Sequence, residues 1–133
     1  MSKAMREPTD YVHRRLQREK IVWVATVRPN GAPHLTPVWF VWESDRLYIC
    51  ISPDSRKARN LAANPQVAVS LEDGRNVVIL EGRAAPASDQ ERERVWVRFH
   101  DKYGWDIRRD RTYTLLLKIV PERFLVWGDE AQA

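Results

Sequence analysis

Between Ser52 and Pro65 the chain reads S-P-D-S-R-K-A-R-N-L-A-A-N-P, and its chemistry is that of an anion site. Ser55 stands where an N-cap hydroxyl accepts a backbone N–H, and Ala58, Leu61 and Ala62 recur at i, i+3 and i+4, so the spacing predicts a short helix with an apolar stripe. Asn64-Pro65 ends it, because the residue before a proline is pushed out of the helical region. The first turn of a helix already carries about half a positive charge on its unpaired N–H groups. This one adds Arg56, Lys57 and, one turn in, Arg59. A phosphate at the helix start relieves that crowding through the free N–H groups, the Ser55 hydroxyl and the cationic side chains. Solvated surface charge is the competing reading. The strand-like segments on either side, Leu47 to Ser52 and Val67 to Leu71, favour a site, since a phosphate cradle between strands suits a nucleotide-like cofactor.

The other reactive side chains form no catalytic constellation. His34 and Tyr48 are candidate proton donors, although packing or surface roles suit both. His13 and His100 stand among charges on helical stretches and read as solvated. Cys50 lies in an apolar strand with no activating neighbour and reads as a buried, inert thiol. Three scattered histidines lack metal-ligand spacing, so no metal site is expected, and the strained G-x-S-x-G turn of a serine hydrolase is missing.

The elements that must position these residues follow from periodicity and turn chemistry. Residues 9 to 19 form a short helix with Thr9 or Asp10 as cap, Val12 and Leu16 on its apolar side, and His13, Arg14, Arg15 and Arg18 on a cationic face. Ile21 to Arg28 alternates as a strand, Asn30-Gly31 turns it, and His34 to Trp42 returns. Pro37 in that returning strand cannot donate to a ladder, which implies an edge, a bulge or a face turned to a ligand. Leu47 to Ser52, Val67 to Leu71 and Val77 to Ala85 are the next strands, with Gly82 a bulge. Ser88 and Glu91 make a capping box for a helix that ends near Lys102 and Gly104. Thr112 to Trp127 closes the chain as a long strand or strand pair interrupted at Pro121. The sum is a mainly β protein: six strands in consecutive hairpins and three helices, an antiparallel barrel whose gaps the helices plug.

The totals narrow the class. A chain of 133 residues with no repeat or linker is one domain, residues 1–133, and can bury a core without disulfides or metal. One cysteine excludes an internal disulfide framework and fits a reducing compartment, so the expected address is the cytoplasm. No apolar run is long enough to span a membrane, and the N-terminus lacks the apolar region of a signal peptide. The net charge of +4 is a mild excess interspersed with 18 acids, which favours small anions over a nucleic-acid backbone. Basic residues alternating with aromatics on a small barrel keep nucleic-acid stacking as a competitor. The six tryptophans are shared among core, subunit interface and flat-ligand contacts.

The run D-R-L-Y-I-C-I-S-P-D-S-R-K-A-R-N-L-A-A-N-P-Q-V-A-V-S, with N-G-x-P-H before it, T-P-V-W-F in the second strand and L-E-G-R-A in the fifth, resembles the split-barrel flavoproteins of the pyridoxamine 5'-phosphate oxidase superfamily. The resemblance covers residues 10 to 128, and T-P-V-W-F combined with S-R-K-A-R-N-L is most similar to the small members that bind the deazaflavin coenzyme F-420. It implies an FMN-binding type of split barrel, a homodimer with cofactor sites at the subunit interface, and coenzyme F-420, or alternatively FMN, as cofactor. Carried over, Ser55, Arg56 and Lys57 grip the cofactor phosphate. Thr36, Pro37, Val38 and Trp39 run along the ring, and Cys50, Ile51 and Ser52 line the ribityl chain and the ring's other side. Arg59 and Asn60 either face solvent or support the loop. Arg59, with Arg14, Arg15 and Arg18, is also placed to meet the acidic oligoglutamate tail of F-420. The pyridoxamine phosphate oxidases continue into a C-terminal segment that binds pyridoxal substrate, whereas this chain ends at Ala133, so vitamin B6 oxidation is not expected. The activity implied is hydride transfer to an activated double bond of a small planar substrate, with a flavin oxidase or reductase, or a non-catalytic flavin binder, as alternatives.

Overall fold

The computed structural model describes residues 3–132, and its elements run β1 (Lys3–Met5), α1 (Asp10–Arg18), β2 (Val22–Val27), β3 (Pro33–Val38), β4 (Val41–Glu43), β5 (Arg46–Ile51), α2 (Arg56–Ala63), β6 (Gln66–Leu71), β7 (Val77–Pro86), α3 (Asp89–Tyr103) and β8 (Leu115–Trp127), with a last 3-10 turn at Glu130–Gln132. The strands form one curled antiparallel sheet in the order β3-β2-β6-β7-β8-β5-β4. The long strand β8 organises it. One edge pairs with β7 from Leu117 to Trp127, while the other is shared between β5, at Leu115–Ile119, and β1, at Phe124–Val126.

Alternation decides which residues face where. Leu47, Ile49 and Ile51 of β5 point into the barrel, where Val12 and Leu16 of α1 and Ala58 and Leu61 of α2 plug the interior. Tyr48 and Cys50 point the other way, onto Val95 and Phe99 of α3. With both faces covered, β5 reads as a continuous apolar run. The α3 capping box forms as its spacing implies, and Gly104 takes the left-handed C-cap conformation.

The mainly β split barrel and its three helices agree with the sequence, but the described residues hold eight strands rather than six. One extra strand is β1, whose three residues carry no alternating signal. The other arises because His34 to Trp42 divides: β3 pairs with β2, then the chain leaves it, and β4 pairs with β5. The break is stabilised from a distance. At Phe40 the backbone N–H donates to the Tyr103 hydroxyl (2.9 Å), and the carbonyl accepts from Tyr103 Oη (2.7 Å) and Lys102 Nζ (3.0 Å). Side chains from the end of α3 thus replace the ladder. Conversely, β8 runs through Pro121 unbroken. Gly82 pairs with Pro121 while Glu81 pairs with Arg123, so Glu122 is an extra residue at a bulge, where proline's missing N–H costs nothing. A Cβ at Gly82 would run into the Val120 carbonyl.

Two details of the helices also differ. Ala62 is exposed, and Asn60 shares the buried face of α2 with Ala58 and Leu61. Arg15 is 2% exposed rather than part of a cationic surface, held by Glu19 (3.4 Å), Glu130 (3.8 Å) and the Tyr11 hydroxyl. No helix among the described residues is long and apolar enough to cross a membrane.

Candidate functional site

A cleft of about 420 Å³ opens where the ends of β3 and β5 meet the first turn of α2 and the irregular segment after α3. Its lining includes six of the residues singled out in the sequence: Pro37, Val38, Trp39, Cys50, Ile51 and Lys57. It also includes Trp105, Asp110 and Tyr113, which sequence reasoning missed. These three stand in a loop without periodicity, far along the chain from Trp39, and only the high tryptophan count hinted at one of them.

The phosphate-like end is built from α2. Ser55 caps the helix, accepting from Ala58 N (3.2 Å), and its hydroxyl donates to the Ser52 carbonyl (2.7 Å). Ser52 also accepts on Oγ from Asp54 N (3.3 Å), so both serines shape the turn into the helix. Arg56 donates to Asn60 Oδ1 (3.4 Å), and the buried Asn60 amide donates to Thr26 Oγ1 (3.0 Å), which fixes α2 to β2. Asn60 therefore supports the loop, and Arg59 faces solvent. Lys57 is half-buried at the cleft wall, and desolvation pulls its pKa below the ordinary lysine value. Among the described residues Arg56, Lys57 and Arg59 take part in none of the ion pairs, while the first turn of α2 holds no acid.

Two polar atoms on β3 lack partners as well. Among the described residues, His34 Nδ1 and Thr36 Oγ1 are buried and meet no hydrogen-bond partner. Burial, with Arg28, Lys57 and Arg56 close by, holds the His34 imidazole below its ordinary pKa, so it is neutral and a poor acid. Free cations, a helix start and orphaned polar atoms fit an anionic group with several acceptor oxygens.

The candidate proton donors fare poorly. Tyr48 is fully buried under α3, away from the cleft lining, and donates to Glu91 Oε2 (3.0 Å); its pKa is pushed up to about 12, first by burial and then by that carboxylate. Cys50 lines the cleft, but its thiol donates to the Tyr113 carbonyl (3.0 Å) and burial pushes it up to about 11, which makes it inert.

A family model described as "Pyridoxamine 5'-phosphate oxidase" matches residues 8–128. The chain belongs to the pyridoxamine 5'-phosphate oxidase family. Over part of its length the chain is similar to heme oxygenase HutZ of Vibrio cholerae, at 36% identity over 55 residues, which is 41% of this chain and only 31% of HutZ. Solved structures share its fold. An F420 reductase superposes with a TM-score of 0.72 at 24% identity, covering 89% of this chain and 98% of the other. The conserved hypothetical protein Rv2991 of Mycobacterium tuberculosis gives 0.74 at 25% identity, covering 92% and 85%. Membership in this flavin-binding, oxidoreductase-type family agrees with the chemistry of the cleft.

Proposed function

We propose that this protein is an oxidoreductase that binds coenzyme F-420 in the cleft between β3, β5 and α2 and acts on a small planar substrate. The observation that supports the reading is Lys57, half-buried at the cleft wall without an ion-pair partner among the described residues, close to Arg56 and to the unpartnered His34 imidazole of β3. Arg56, Lys57 and the N–H groups of the first turn of α2 hold the phosphate. Thr36 to Trp39 run beside the ring, and Cys50, Ile51 and Ser52 face the ribityl chain. Bound there, a flavin or deazaflavin supplies hydride transfer. The chain's part is position and exclusion of water: apolar Val38 and Ile51 keep the wall dry, and Lys57 fixes the anionic end.

FMN is the second reading, and a specific observation favours it. Arg15, expected to help meet the acidic tail that distinguishes F-420, is buried and already bound to two carboxylates and a phenol. A homodimer belongs to the proposal too. The outer face of the sheet leaves Trp23 (39%) and Leu35 (59%) exposed, in a shallow depression continued by Ala68, Ile79 and Trp127. A second copy covers such a face.

The test is a titration of purified apoprotein with F-420 and with FMN, following tryptophan emission. Binding of F-420 in the micromolar range with weaker FMN binding supports the first reading, and the reverse order selects the second. Failure of both ligands to bind refutes the site.

A further inference from the structure

Beyond Trp39, which the proposed function sets beside the coenzyme ring, the cleft is walled by further aromatic rings that neither the phosphate grip nor the ring contact explains. Trp105 meets Trp39 at 75° with centroids 5.8 Å apart, and meets Tyr113 at 87° with centroids 6.0 Å apart. Tyr103 backs Trp39, stacked at 4.5 Å and 4°, so this wall is rigid. Trp39 and Tyr113 nevertheless remain 45% and 48% exposed, a large apolar area left in water beside a cleft. The three rings make a corner with perpendicular walls rather than a flat patch.

A carboxylate sits in that corner. Asp110 accepts on Oδ1 from Thr112 N (2.9 Å) and Tyr113 N (2.8 Å), and on Oδ2 from the Trp105 indole (3.0 Å). Those backbone donors and the indole hold its pKa below the ordinary carboxylate range, so it stays ionised. All three donors are neutral, and among the described residues Asp110 takes part in none of the ion pairs, Arg92 being turned to the Thr114 carbonyl. The nearby Arg108 and Arg109 pair with Asp106 instead.

We propose that the corner formed by Trp39, Trp105, Tyr113 and Asp110 binds a flat organic cation, and that the substrate class of this cleft is an N-substituted aromatic or iminium cation. Ring faces and an uncompensated carboxylate together attract a cation, whereas a neutral planar ligand gains nothing from the carboxylate and an anion is repelled by it.

The chemistry of the cleft points the same way. Of the described residues lining it, the Cys50 thiol is inert, Asp110 is held ionised and Lys57 serves the phosphate, which leaves the Tyr113 phenol in the aromatic wall as the remaining hydroxyl donor. A C=N⁺ acceptor needs no proton donor. With a reduced coenzyme bound, hydride would add to the carbon and the π pair would move onto nitrogen, discharging the positive charge, while the coenzyme, oxidised by two electrons, would release its remaining proton to water. The neutral product then loses its attraction to the corner and leaves. This role as substrate rests on the coenzyme reading above; the binding of a cation does not.

Calorimetric titration of the purified chain with 1-methylquinolinium, neutral quinoline and quinoline-4-carboxylate tests it. The cation is expected to bind about tenfold more tightly than quinoline, the carboxylate more weakly than either. Saturating inorganic phosphate, by neutralising Lys57, should tighten the cation further. Asp110→Asn should bring cation and quinoline to within about twofold of each other. Because Asp110 also anchors its loop, Tyr113→Leu serves as a second variant: it keeps the backbone N–H that Asp110 accepts, removes one ring, and should also lower the preference for the cation. Quinoline or the carboxylate binding the unaltered protein as tightly as the cation overturns the proposal, as does a full cation preference in both variants. Cation preference in a chain that binds neither F-420 nor FMN keeps this site and overturns the coenzyme reading. Coenzyme binding without cation preference does the reverse.

Discussion

Replacing Lys57 with Met separates a ligand-binding cation from a structural one, because the two roles predict opposite signs. Lys57 is half-buried, has no ion-pair partner among the described residues, and has its pKa lowered by desolvation. A base with a lowered folded pKa penalises the folded state while it is charged, and stability rises as pH climbs from that folded pKa towards the ordinary lysine value. Lys57→Met should therefore leave the apoprotein as stable as before or more stable at neutral pH, and should remove that alkaline rise. With ligand the sign reverses, since losing a charge-assisted contact to phosphate costs about 1.5–3 kcal/mol, or roughly ten- to a hundredfold in Kd. At ligand near a hundred times the original Kd, ligand-induced stabilisation should fall from about 2.7 kcal/mol to as little as about 0.4 kcal/mol. Denaturant melts with and without F-420 and FMN measure both arms. An unchanged ligand-induced gain, or an apoprotein weakened by more than about 1 kcal/mol, would refute the reasoning.

Three further outcomes are expected. Glu91 accepts from Ser88 N (2.9 Å), Tyr48 Oη (3.0 Å) and Lys118 Nζ (3.1 Å), and its pKa falls to about 2, with the Ser88 backbone bond as the largest cause. The stability it contributes is full above the ordinary glutamate range and is lost as pH falls towards about 2; Glu91→Gln should cost up to about 3 kcal/mol at neutral pH and flatten that part of the acid limb in pH-dependent melts. Gly82→Ala should destabilise by at least about 2 kcal/mol in denaturant unfolding, because the added methyl meets a backbone carbonyl that cannot step aside without breaking the β7–β8 register. The double change Trp23→Glu with Leu35→Glu should turn the expected dimer into a folded monomer in sedimentation; unaltered mass would remove the outer sheet face as the interface.

The structure of α2 was legible because its signal is local. Cap, cations and apolar stripe fall within one short helix, and only Ala62 was assigned to the wrong face. The helix at Ser88 was legible for the same reason. What could not be read is what distant parts of the chain impose. The break at Trp39-Phe40 depends on Tyr103 and Lys102, which satisfy the Phe40 backbone from the end of another helix. No pattern within residues 34 to 42 encodes that. The continuity of β8 through Pro121 likewise depends on Gly82 across the ladder. The aromatic corner was hidden because Trp105 and Tyr113 lie in a loop fixed by Asp110, where periodicity carries no information. Arg15 looked like a surface charge because its position on a cationic helix face says nothing of Glu130, which reaches it from the other end of the chain.

The place of β8 in the sheet also sets the order in which the barrel can close during synthesis. It is the last of the eight strands to be synthesised, yet β7, β5 and β1 all depend on it for an edge. Until Leu115–Trp127 emerges, a nascent chain holds β6 and β7 joined on one side, β4 and β5 on the other, and open edges of apolar strand between them. Such edges are templates for pairing with other chains. Closure of this sheet therefore waits on β8, and chaperone occupancy on stalled chains should drop sharply once that strand has cleared the exit tunnel.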